Sequence, residues 1–106
     1  MSRALRRFEI LLPLKFNDGT VVPAEFTGET IIELRQRFGA VSCETQVIRG
    51  IWQHAGEDFR DELVRVFIDV PDLPEHREFM TAYKETLKSR FRQIDIWMVT
   101  FLLDVI

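Results

Sequence analysis

Between Gln46 and Val70, apolar and polar residues alternate on both sides of a short polar break at Ala55-Gly56-Glu57-Asp58. The pattern predicts two strands folded on each other through a turn. The second strand is the clearer one. Val64, Val66, Ile68 and Val70 form an aliphatic row, and Leu63, Arg65, Phe67 and Asp69 occupy the other side. Pairing His54 with Phe59 across the turn sets Val47, Arg49 and Ile51 beside that row, which buries Arg49. A bulge at Gly50 is the expected relief, because a glycine inside a strand often marks an extra residue.

Four further segments flank this hairpin. Residues 8–16 alternate, with Phe8, Ile10, Leu12, Leu14 and Phe16 on one side, as in a half-buried strand that bulges or stops pairing near Pro13. Asn17-Asp18-Gly19-Thr20 supplies turn chemistry. A helix is predicted over residues 23–38, with Phe26, Thr30, Ile31, Leu34 and Phe38 in one stripe, Glu33, Arg35, Gln36 and Arg37 solvated, and Gly39 as its stop. After the hairpin, Asp72-Leu73-Pro74-Glu75 offers a capping carboxylate for a second helix. That helix runs to about Arg92 and carries Phe79, Tyr83, Leu87 and Phe91 on one face. Residues 94–102 alternate again as a last strand.

The order is therefore βαββαβ. Right-handed crossovers then give an α+β, ferredoxin-like fold: a four-stranded antiparallel sheet with two helices on one face. With 106 residues and 46% apolar composition, the whole chain is expected to be one domain, residues 1–6 being a basic N-terminal arm. If the aliphatic rows meet the helices, Leu11, Leu63, Phe67, Trp97, Val99 and Phe101 point away from them. That is more apolar surface than a small monomer normally leaves in water.

This open face has three readings. It can bury Trp97, Phe67 and Phe101 against a second copy, giving a homodimer or higher oligomer. It can wall a small-molecule pocket completed by a partner subunit. It can also stack single-stranded RNA, with Arg49 and Arg65 meeting phosphates; the net charge of −3 disfavours that reading. The candidate ligand-binding or interface residues are Trp97, Phe101, Phe67, Arg65, Arg49, Trp52 and His54. Tyr83 joins them in an alternative in which the protein is a small enzyme with a pocket at a subunit boundary.

Other chemistry is sparse. The carboxylates Glu57, Asp58, Asp61 and Glu62 crowd the hairpin tip without the spacing of a calcium loop, so they read as a solvated turn. His54 and His76 have no recognisable partner, and Cys43 lacks an activating neighbour. No phosphate loop, nucleophile elbow or zinc motif is present, and no cofactor or metal is expected. A lone cysteine, a basic start without a cleavage site, and no run of about 18 apolar residues point to a cytoplasmic protein without membrane contact.

Phe16-Asn17-Asp18-Gly19, Arg37-Phe38, Gly50, Trp52, Gly56, Glu62 and Tyr83-Lys84 together resemble the DUF3574-like family of small proteins. This chain departs from the family by lacking the lipoprotein-like or secretory leader of some members. The resemblance implies a compact α+β domain. The family has no established activity, so it implies no catalytic residue.

Overall fold

The computed structural model describes residues 4–106. Its elements are β1 (Leu5–Pro13), α1 (Ala24–Phe38), β2 (Ser42–His54), β3 (Glu57–Pro71), α2 (Pro74–Arg90) and β4 (Met98–Leu103). The four strands form one antiparallel sheet in the order β2-β3-β1-β4, and the fold is α+β and ferredoxin-like. The expected aliphatic rows do meet the helices. Phe8, Ile10 and Leu12 of β1 and Val64, Val66, Ile68 and Val70 of β3 are buried in one cluster with Leu34 of α1, Met80 and Leu87 of α2, and Phe91. An edge-to-face ladder of Phe16, Phe26 and Phe91 extends it toward the β1–α1 turn.

β1 begins earlier than its alternation suggested. Leu5 and Arg6, read as part of the arm, are strand together with Arg7, because the two arginines find partners at the neighbouring strand end. Arg6 Nε donates to Asp72 Oδ1 at 2.7 Å, and Arg7 makes a two-pronged pair with Asp69 at 2.7 and 2.9 Å. Residues 1–3 of the expected arm lie outside the described residues. At the other end, Pro13 is the last ladder position of β1, but its missing N–H does not stop the pairing, since Leu14 N–H still donates to the Glu62 carbonyl at 2.9 Å.

Engaged by Arg6, Asp72 does not cap α2. The N-cap is Leu73, without a side-chain bond, and the helix ends at Arg90. Glu33, expected to be solvated, instead turns toward α2, accepts a hydrogen bond from Tyr83 Oη at 2.8 Å and forms an ion pair with Arg90 Nη2 at 2.7 Å. β4 starts at Met98, four residues later than predicted. Trp97 nevertheless continues its ladder, since Leu11 N–H donates to the Trp97 carbonyl at 3.0 Å.

The hairpin turn is tighter than predicted. His54 pairs with Glu57, so Ala55 and Gly56 alone make the turn, with φ of +52° and +82°. The register shifts by two relative to the expectation, and Arg49 lies opposite Glu62 rather than beside Val64, exposed and not buried. The irregularity falls between Glu44 and Ile48, not at Gly50. Beyond it β2 and β3 leave the body as a two-stranded arm on which every residue from Ile51 to Arg60 is exposed; the molecule measures 49 × 28 × 25 Å.

Candidate functional site

Register assigns each candidate residue to a face, because directly opposed residues of an antiparallel pair project to the same side. Leu11, Leu63, Arg65, Phe67, Val99 and Phe101 occupy the face away from the helices, and Trp97, opposite Leu11, joins them. The arm continues this face with Trp52, His54 and Phe59, whereas Arg49 and Ile51 project to the helix side.

The centre of the open face is not bare hydrocarbon. Arg7 lies over the Phe67 ring at 4.3 Å while holding Asp69. Arg65 Nη1 donates to Glu44 Oε1 at 3.0 Å. Its Nε, 3.7 Å from Glu9 Oε2, is within ion-pair reach but too far for a hydrogen bond, and it is buried without an acceptor. The Asp69 hydrogen bond raises the Arg7 guanidinium above its ordinary value against the opposing effect of burial. Arg7 thus covers part of Phe67, and with Arg65 and the carboxylates of Glu9, Glu44 and Asp69 it makes a charged strip between two aromatic margins.

One margin is Trp97 and Phe101, 64% and 41% exposed. The other is on the arm. There Trp52 stacks on Phe59 with centroids 4.6 Å apart and planes 19° from parallel, its indole N–H donates to Asp61 Oδ2 at 2.7 Å, and the His54 ring lies 6.3 Å away. That hydrogen bond fixes the indole on the open side and occupies one of the tip carboxylates. Among the described residues, no three His, Cys, Asp or Glu side chains converge as metal ligands.

Two expected groupings do not form within one chain. Arg49 and Arg65 project to opposite sides of the sheet, and Arg65 already faces two carboxylates, so they make no shared phosphate clamp. Tyr83 lies in the helix layer, stacked on Phe79, on the far side of the sheet from Trp52 and His54. Its phenol is pushed up to about 12 by burial and by the Glu33 hydrogen bond. Two surface depressions, one at Leu14, Val22 and Thr27 and one on α2 around Arg77 and Thr81, border none of Trp52, His54 or Trp97. Cys43 is exposed on β2, and partial desolvation of its sulfur together with the neighbouring Glu44 charge pushes its thiol above the ordinary range, the opposite of nucleophile activation. The Arg7–Glu9–Arg65–Glu44 strip escaped sequence reasoning. Alternating charges at Arg7, Glu9 and Arg65 were its only signal, and pairing them required the register.

Among the described residues, no helix is long and apolar enough to cross a membrane. No family model matches the chain, and no curated protein matches it. Solved structures do share its fold. A phage SAM lyase in complex with S-methyl-5'-thioadenosine is 16% identical, over 99% of this chain and 93% of that chain, with a TM-score of 0.71. A phage SAM lyase in the apo state is 20% identical over 100% and 92%, with a TM-score of 0.68. CutA from Synechococcus elongatus is 10% identical over 96% and 79%, with a TM-score of 0.62. At these identities the likeness is one of fold.

Proposed function

We propose that this protein is a self-associating domain, a homodimer or higher oligomer, whose open sheet face and arm are covered by another copy. The observation that carries the reading is the exposure of large apolar side chains at both margins of that face. A two-stranded ribbon is marginal by itself in water, and this one carries Val47, Ile51, Trp52 and Phe59, which are 41, 68, 47 and 37% exposed. On the open side Trp52, Phe59, Trp97 and Phe101 together expose on the order of 450 Å², a substantial part of the roughly 800 Å² per partner of a standard interface. The charged strip between the margins fits a face that stays partly wet after association. Light scattering of the wild type and of Trp97→Asp tests the reading: an assembly that the substitution dissociates supports it, and a monomeric mass for both defeats it.

A second reading places a small-molecule site at the boundary between copies. It is favoured by the phage lyase, whose fold matches nearly the whole chain and which holds S-methyl-5'-thioadenosine. The exposed rings of Trp52, Trp97 and Phe101 are suited to stacking on a flat base such as adenine. Calorimetric titration with S-methyl-5'-thioadenosine checks this: saturable binding lost in Trp97→Asp supports the site, and no heat at millimolar ligand removes it. Kinship with the DUF3574-like family and a cytoplasmic setting, consistent with the single Cys43, belong to the same proposal.

A further inference from the structure

The sheet has two unpaired edges, β2 and β4. Natural sheets blunt such edges with lysine, proline or inward charge. β2 contains neither lysine nor proline, so only Glu44, Arg49 and the irregularity between Glu44 and Ile48 interrupt its edge, and the short β4, Met98–Leu103, has no charged residue at all. A twofold contact through one edge leaves the other bare, whereas joining the β2 edge of one copy to the β4 edge of the next covers both with a single repeated contact. Strand direction permits it. The order β2-β3-β1-β4 is antiparallel throughout, so β4 of a copy in the same orientation runs antiparallel to β2.

The side chains match on both faces. On the helix side, Ile51 of β2, with Arg49 two positions before it, would meet Leu102, itself 59% exposed. On the open side, Trp52 would meet Phe101 and Trp97. Edge pairing in a flat row still leaves every open face in water, and only closure of the row turns those faces inward. Resting on the self-association reading, we propose that the copies join head to tail, β2 edge to β4 edge, into a closed ring. Each aromatic pocket wall is then made by Trp52 of one copy and Trp97 and Phe101 of the next, and neither copy has that wall alone.

Cysteine cross-linking in a Cys43→Ser background tests the arrangement. Ile51 and Leu102 lie on the same side of their strands and are exposed, so Ile51→Cys and Leu102→Cys are expected to fold, which circular dichroism checks. With a short bis-maleimide, the chain carrying both cysteines should give covalent multimers up to the full assembly on a denaturing gel. Chains carrying only Val47→Cys, Ile51→Cys or Leu102→Cys should remain single. Dimers from a lone Val47→Cys or Ile51→Cys overturn the head-to-tail contact in favour of a twofold one. An intact assembly mass without cross-links in the double variant overturns edge pairing while sparing self-association. Fibres of unbounded mass overturn closure, and a monomeric wild type removes the underlying reading.

Discussion

Tyr83 is the only tyrosine in the chain, so its ionisation can be followed without assignment. Its hydroxyl donates to Glu33 Oε1 at 2.8 Å, the same oxygen that Arg90 Nη2 meets at 2.7 Å, while Arg90 Nη1 donates to Thr30 Oγ1 at 2.8 Å. Burial and the Glu33 bond push the phenol from an ordinary value near 10 up to about 12. A folded-state value above the unfolded one means that the contribution to stability is complete below pH 10 and is lost as pH rises through about 12. Two units correspond to about 2.7 kcal/mol at most, given about 1.36 kcal/mol per unit. Tyr83→Phe should cost only about 1 kcal/mol at neutral pH, because Glu33 keeps Arg90 as a partner. Between pH 9 and 11.5 the stability of the variant, measured by urea unfolding, should fall less steeply than that of the wild type. The tyrosinate absorbance of folded wild type should stay low until well above pH 10. A phenol titrating near 10 in the folded protein, or parallel alkaline slopes for the two proteins, refutes this account of the helix layer.

Other expectations are simpler. Gly56 sits at φ +82° with open space around its missing Cβ, so Gly56→Ala pays only backbone strain. It should cost about 1 kcal/mol and speed amide exchange along the arm more than in the body. Leu87 is fully buried between α2 and the sheet, and Leu87→Ala should lose about 2–5 kcal/mol in denaturant unfolding. The Lys84 ammonium, 3.0 Å away, holds the Asp95 carboxylate below its ordinary range, so this pair contributes above that range and is lost as pH falls through the folded value. Lys84→Met should move the Asp95 titration upward in a carboxyl-detected NMR series; an unmoved titration contradicts the assignment.

The fold was legible because its periodic rows are long. Val64, Val66, Ile68 and Val70, with Phe8, Ile10 and Leu12, fixed which sheet face meets the helices, and all seven are buried. The stripes of both helices held for the same reason. What the pattern hid was set by pairing across the chain. Arg6 and Arg7 look like a solvated arm until Asp72 and Asp69 are placed beside them. The turn was misjudged because Ala55 is not a residue that announces positive φ, and a two-residue turn then moved the register by two. The irregularity near Thr45–Val47 has no glycine to mark it. Aromatic residues of the open face were visible in the sequence, but the charges that shield Phe67 and the opposite sides taken by Arg49 and Arg65 followed only from register.

The mass of the wild-type chain in solution bears most directly on the account, because the proposed association is what would cover the exposed arm and the Trp97–Phe101 margin. Sedimentation equilibrium at micromolar concentration should give two or more times the 12.5 kDa of one chain. A value of 12.5 kDa that holds across the whole accessible concentration range would contradict it.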